Sequence, residues 1–258
     1  MSAKILLLDI ETAPAVVYTW GLYDQNIGIN QIIHDGYVLC WAAKWLGNKS
    51  IISDSVYNHR RSHDVRQDYD KQIAKSMWQL LDEADIVVTH NGNNFDLKWL
   101  NTVFIKHSLP PPSDYKSIDT YSAMKTYFRF VSNKLDFVSR KLELGHKLNT
   151  NGFELWEKCM KGDHVSWAKM VEYCKHDVLL LEKLYLALRP FIKNHPNLAL
   201  YTSDNKLLCT NCGSGNIQHR GFAFTATSKY RRYVCKDCGK WSRENKSLAK
   251  KQKLVNVS

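Results

Sequence analysis

Residues 5–9, Ile-Leu-Leu-Leu-Asp, form an apolar run that ends in an acid, and a second acid follows at Glu11. In a strand, side chains alternate between faces, so Asp9 and Glu11 project to one side. Leu6, Leu8 and Ile10 then project to the other, into a core. Two carboxylates side by side repel each other unless something neutralises them. Hard oxygen donors suit Mg2+ or Mn2+. The spacing therefore points to a metal site at the end of a buried first strand. Taken alone, the stretch reads equally well as a strand whose two acids face solvent.

The rest of the chain supplies a frame for that strand. Apolar runs at 37–47 and 50–58, joined by Gly47-Asn48-Lys49, predict an antiparallel meander after a long connection over 13–36. The polar stretch 59–69 reads as a loop. Ile73, Met77, Leu80 and Leu81 share one face of a helix over 70–83. Ile86–Thr89 is a short β-branched strand leading into a helix over 95–107, which the prolines at 110–112 close off. A further strand over 115–119 and helices over 120–128, 133–144, 153–160 and 166–191 follow. Strands alternating with helices after a meander predict an α/β domain with a mixed sheet. With 258 residues, one sizeable core plus a small second module is the expected organisation.

Two further stretches carry acids in structured positions. In His90-Asn91-Gly92-Asn93-Asn94-Phe95-Asp96 a strand ends, a turn follows, and Asp96 enters the first turn of a helix. That puts a carboxylate at the C-terminal edge of a strand, where open α/β sheets place their sites. Helix capping is the simpler reading of Asp96. In Tyr173-Cys174-Lys175-His176-Asp177 the tyrosine and the aspartate are four apart, so they share one helix face. Packing in the core is the simpler reading of Tyr173.

In order, these stretches resemble the three exonuclease motifs of the DEDD superfamily of 3′-to-5′ exonucleases, which have a ribonuclease-H-like fold. The resemblance spans residues 1 to about 192. Asp9 and Glu11 match the DxE of the first motif, Asp96 the acid of the second, and Asp177 the last acid. Tyr173 matches the tyrosine variant. The histidine variant places His five before the last acid, where this chain has Glu172. The second motif looks most like the proofreading domains of B-family DNA polymerases. With no polymerase region present, the whole resembles stand-alone exonucleases, many of them viral.

The resemblance implies phosphodiester hydrolysis with two Mg2+ or Mn2+ ions about 3.5–4 Å apart. It assigns Asp9 to bridge both, Glu11 and Asp177 to the ion beside the attacking water, Asp96 to the second ion through water, and Tyr173 to orient that water. It makes Asn91 a substrate contact. Asp119 resembles a recurrent acid of the family and reads equally as a helix cap.

The C-terminal fifth has a different texture. Cys209/Cys212 and Cys235/Cys238 form two CxxC pairs, each followed by glycine. Four thiolates at this spacing resemble a zinc ribbon and predict one closed, structural Zn2+ site, because so short a segment lacks an adequate core of its own. Cys40, Cys159 and Cys174 read as buried core thiols. The expected boundaries are an exonuclease domain over 1–194, a linker over 195–206, the ribbon over 207–243 and a basic, disordered tail over 244–258.

Charge divides along the same line. Residues 205–258 carry 12 Lys or Arg against 2 acids, and residues 1–204 carry 24 against 23. That asymmetry points to a polyanion, most simply nucleic acid. Phe222, Phe224, Tyr230 and Tyr233 interleave with Arg220, Lys229, Arg231 and Arg232. Phosphate neutralisation combined with base stacking is what single-stranded nucleic acid requires, although aromatics filling a small core, or a protein-docking ribbon, fit the same pattern.

The reading that results is a metal-dependent 3′-to-5′ exonuclease whose ribbon aids binding, with single-stranded DNA favoured over RNA. The resemblance also implies a DNA polymerase or other replication protein as a partner. A non-catalytic nucleic-acid-binding adaptor, a structure-selective endonuclease and a ribonuclease on the same fold are the alternatives. No run approaches the roughly 18 apolar residues of a membrane span. No leader precedes the first strand, so a cytoplasmic setting, the host's if viral, is expected.

Overall fold

The structure is a computed structural model that describes residues 2–59, 70–203 and 206–248. It divides into two compact units, one over Lys4–Tyr185 and one beginning at Leu186. The first holds β1 (Ile5–Ala13), β2 (Val16–Val17), β3 (Ile32–His34), β4 (Tyr37–Trp45), β5 (Ile52–Ser55), α1 (Val56–His59), α2 (Asp70–Glu83), β6 (Ile86–Thr89), α3 (Asp96–Lys106), β7 (Lys116–Asp119), α4 (Thr120–Tyr127), α5 (Leu135–Lys141), α6 (Glu154–Met160) and most of α7 (His164–Leu188).

Five strands make the central sheet in the order β5-β4-β1-β6-β7. The meander β1-β4-β5 is antiparallel, and β6 and β7 add on parallel to β1. This is the expected mixed sheet, and β1 lies at its centre. Burial on both faces explains why β1 and β4 are almost continuously apolar.

Each face has its own cover. Trp41 of β4 donates its indole N–H to the Ile73 carbonyl of α2 at 2.9 Å, which fixes α2 on the face that carries Leu6, Leu8 and Ile10. On the opposite face, the buried ammonium of Lys44 in β4 contacts both carboxylate oxygens of Glu182 in α7 at 2.5 and 2.6 Å. The Cys174 thiol of α7 reaches the Asp9 carbonyl at 3.5 Å. The first strand's acids thus face α7.

Differences from expectation have local causes. The connection over 13–36 contains a two-stranded hairpin, β2–β3, too short to leave a periodic signal. The stretch read as a loop over 59–69 begins with the last residue of α1, and the remainder lies outside the described residues. The final helix ends at Leu188 and passes into a 3-10 turn over Arg189–Phe191, because Pro190 cannot donate the next helical hydrogen bond. α5 stops at Lys141, where Glu143 turns left-handed (φ 57°).

The second unit holds β8 (Ile217–Phe224), β9 (Lys229–Cys235) and β10 (Trp241–Arg243) in an antiparallel sheet ordered β10-β9-β8. Within residues 195–206, read as linker, a 3-10 turn spans Leu198–Tyr201, and Leu198 N–H donates to the Thr210 carbonyl at 2.8 Å. The first residues of the expected tail continue the sheet's bonding. Glu244 N–H donates to Arg231 O at 3.0 Å and Leu248 N–H to Lys229 O at 2.7 Å. The tail beyond 248 lies outside the described residues.

Candidate active site and cysteine cluster

Strand alternation brings Asp9 and Glu11 to one face, and the helical turn at Asp177 meets them there. Carboxylate oxygens of Asp9, Glu11 and Asp177 lie within 4.8 Å of one another. The β4 residues paired with Asp9 and Glu11 are Ala42 and Cys40, whose small side chains leave room above the sheet. A register shift between Glu11 and Thr12 interrupts the β1–β4 ladder at the second acid, as bulges beside sites do.

Asp96 stands just outside this trio. Its N-cap position belongs to Phe95, which makes no side-chain cap, so the capping reading of Asp96 does not hold. Instead its Oδ1 accepts the Ile10 N–H at 3.1 Å, between the two acids of β1. Asn91 takes a left-handed backbone (φ 68°), and Gly92 packs so closely on Thr89 that an added Cβ would lie 2.4 Å from it. This turn is held by Asp119. Its carboxylate caps α4 through Tyr121 N–H (2.9 Å) and Ser122 N–H (3.2 Å), and also accepts Asn91 N–H (2.8 Å) and Asn93 N–H (3.3 Å). The cap reading of Asp119 therefore holds, with an added role in shaping the second motif.

Tyr173 is buried against Trp156, edge to face at 6.1 Å, and its hydroxyl accepts from Lys147 Nζ at 2.9 Å. The same ammonium bonds Asp177 Oδ2 at 2.5 Å. Lys147 was not legible in the sequence. It lies in a polar loop after Gly145, where its backbone N–H donates to Asp136 Oδ1 of α5 at 2.7 Å. His176, adjacent to Asp177, turns away to the His146 carbonyl at 2.7 Å.

The electrostatics follow from crowding acids in a buried place. Burial, then the charges of Asp96, Glu11 and Asp177, hold the Asp9 carboxyl well above the usual carboxylate range. Burial and Asp177 push Glu11 up to about 8. Burial pushes Asp96 up to about 7 even though two backbone N–H groups oppose the shift. Burial alone would favour a neutral Lys147, but Asp177 and Tyr173 keep it charged. Burial, then Asp177, keeps the Tyr173 phenol protonated.

These residues fit a divalent cation. The donors are hard oxygens, they converge, and their mutual repulsion is what a dication relieves. Asp177 Oδ1 is buried with no hydrogen-bond partner, an oxygen that a ligand would satisfy.

The four cysteine sulfurs also lie within 4.8 Å of one another, with Cys209–Cys238 and Cys212–Cys235 both at 3.6 Å. Tetrahedral Zn–S bonds of about 2.3 Å place sulfurs about 3.8 Å apart. The two turns repeat one geometry. Gly213 and Gly239 both have φ 74°, and their N–H groups return to Cys209 O at 2.9 Å and Cys235 O at 3.0 Å. Asn211 N–H points at Cys209 Sγ from 3.4 Å. Cys40, Cys159 and Cys174 are buried, as expected.

The sequence model of the RNase_H_2 family, of the RNase H superfamily, matches residues 45–189. The chain belongs to the RNase H superfamily. Among curated proteins it is 26% identical over 155 residues to a PolC-type DNA polymerase III of Ureaplasma parvum, and it spans a tenth of that protein's length. Among solved structures it matches the family B DNA polymerase of the archaeon Pyrobaculum calidifontis with a TM-score of 0.50 and 14% identity. That match covers 73% of this chain and 25% of the polymerase. The latter is a likeness of fold. No described helix is long and apolar enough to cross a membrane.

Proposed function

We propose that the chain is a 3′-to-5′ exonuclease acting on single-stranded nucleic acid, DNA ahead of RNA, with Asp9, Glu11, Asp96 and Asp177 as metal-binding carboxylates and Tyr173 beside them. The observation that carries this reading is the meeting of Asp9 and Glu11, on the central strand of an RNase-H-like sheet, with Asp177 of α7, whose Oδ1 is buried and unpartnered. Two Mg2+ or Mn2+ ions, when bound, supply activation of water and neutralisation of the phosphate charge.

The chain's own residues do the rest. Asp9, whose oxygens converge with those of Glu11 and Asp177, would hold a cation together with them. Asp96, whose Oδ1 accepts Ile10 N–H, would offer its other oxygen to a cation. The Tyr173 phenol cannot serve as a base at neutral pH, because burial and Asp177 keep its proton on. It acts by hydrogen bonding: Lys147 donates to its oxygen, and its own hydroxyl hydrogen-bonds the Asp177 carboxylate. Lys147 places a fixed positive charge beside the acids, where negative charge develops on the transferred phosphate. Asn91, on a turn fixed by Asp119, is the candidate contact to the 3′-terminal nucleotide.

The four cysteines hold a structural Zn2+, with no open coordination position for catalysis. The ribbon's excess of Lys and Arg, among them Arg220, Lys229, Arg231 and Arg232, supplies affinity for the strand. The similarity to polymerases suggests a DNA polymerase or other replication protein as a partner. Mn2+ titration tests the central assignment: binding at millimolar concentration should weaken at least about tenfold in Asp9→Ala, since one of the converging carboxylates is lost. Unchanged binding would remove the site from consideration.

A further inference from the structure

We infer that one face of the β8–β9–β10 sheet is a stacking platform for single-stranded nucleic acid, formed by two arginine–aromatic pairs, Arg232 with Trp241 and Arg243 with Tyr230. This rests on the nucleic-acid reading above and specifies the surface that carries it.

Strand register sorts the ribbon's cations and rings into two sets. Phe222 pairs with Arg231, Phe224 with Lys229, and His219 with Tyr233, so these side chains share one face. Trp241 pairs with Val234, and Arg243 with Arg232, so these lie with Tyr230 on the other. The ring contacts agree with that division. Lys229 Nζ sits 3.9 Å from the Phe222 ring centroid, on the first face. On the second, the Arg232 guanidinium lies 4.7 Å from the Trp241 centroid and that of Arg243 lies 3.9 Å from the Tyr230 centroid.

The two faces differ in what occupies them. On the first, Ile217, Tyr233 and Ser242 line a cleft walled by Asn197 and Ala199, which Arg243, at the end of β10, also borders. That face also carries a carboxylate: Glu244 accepts from Tyr233 Oη at 2.6 Å and faces Arg231 at 3.8 Å. On the second face, the described residues Gln218, Ala223, Tyr230, Arg232, Val234, Trp241 and Arg243 include two cations and no acid. Trp241 is 48% exposed.

The pairs are also pre-organised. Arg232 Nε donates to Arg220 O at 3.1 Å, and Arg243 Nη1 donates to Glu244 O at 3.1 Å. Each guanidinium is thus fixed by a carbonyl and a ring, and most of its five N–H donors remain for phosphate oxygens. Flat rings accept base faces, which a duplex keeps stacked within itself. The occupant this chemistry selects is an unpaired strand, of either sugar.

The test uses the full chain carrying Asp9→Ala, so that the strand survives, and fluorescent oligonucleotides of about 16 nucleotides, dT or rU, beside a duplex of the same length. Anisotropy is read across a salt series, with zinc content confirming each ribbon. Trp241→Ala should weaken binding about fivefold or more with an unchanged salt slope. Arg232→Ala with Arg243→Ala should lower the slope by about 1.4. Arg232→Lys with Arg243→Lys keeps the charge and loses the planar stack, and should weaken binding at constant slope. Phe224→Ala, on the other face, should bind as the parent does. Parent-like binding by the Trp241 and both arginine variants would overturn the proposal, as would a larger loss in Phe224→Ala or equal affinity for duplex. Absence of cleavage by the Asp9-intact chain beside these losses would retire the nuclease reading and leave the platform standing. Cleavage with no binding change would overturn the platform alone.

Discussion

Lys147 ties the Tyr173 phenol to the Asp177 carboxylate through one ammonium, at 2.9 and 2.5 Å. Lys147→Met should therefore lower the cleavage rate about tenfold or more, the range for a lost charged donor aimed at the reacting centre. Mn2+ binding should not weaken, because a competing cation has been removed. Weaker Mn2+ binding at an unchanged rate would make the lysine a mere scaffold for the ligands. The acids make a second prediction. Glu11 and Asp96 keep their protons up to about pH 8 and 7, chiefly because they are buried. A cation must displace those protons, so Mn2+ affinity should rise as pH goes from 6 through 8 and level off above. Isothermal titration at several pH values checks this, and a flat profile would contradict it. The sequence showed the acids because strand and helix periods are rigid rules linking residue number to direction. It hid Lys147 and the four bonds of Asp119, because loop conformation follows from tertiary contacts and has no period.

β1 and α7 carry three of the site's acids, and an ion pair ties α7 to β4, the neighbour of β1 in the sheet. Lys44 of β4 and Glu182 of α7 sit on the same face as Asp9 and Asp177. Breaking a buried pair leaves an uncompensated charge, so Lys44→Met should cost about 3–5 kcal/mol of stability. Adding Glu182→Leu should restore most of that loss, since two apolar side chains of similar volume can replace the pair. Denaturant melts of the single and double variants measure the coupling, and additive losses would contradict it. Element identity was largely legible: α2 occupies 70–83 as its apolar face predicts, and the strand at 86–89 matches residue for residue. The ends of α5 and α7 were less so, because the left-handed Glu143 and the 3-10 turn at Pro190 cut the periodic pattern short.

Across the whole molecule, chemistry and charge are divided between two units. The mixed sheet carries the carboxylates on nearly balanced charge, whereas the ribbon carries the basic excess. The spacing of the CxxC pairs made the sulfur cluster legible, since two knuckle turns bring four sulfurs together without help from a core. The pairing of β8 with β9 was not legible, because its register is interrupted between His219 and Phe222. A bulge there changes which side Phe222 and Phe224 take, whereas Arg231 and Arg232, adjacent on β9, fall on opposite faces by alternation. The central claim is that the acids on β1, α3 and α7 make a directional nuclease. The decisive measurement is a time course on 5′-labelled single-stranded DNA and RNA with Mg2+ or Mn2+, run beside the Asp9→Ala chain. The expected result is a ladder shortening from the 3′ end, absent in Asp9→Ala, with DNA cut faster than RNA. Intact substrate in every lane, or an equal ladder from Asp9→Ala, would contradict it.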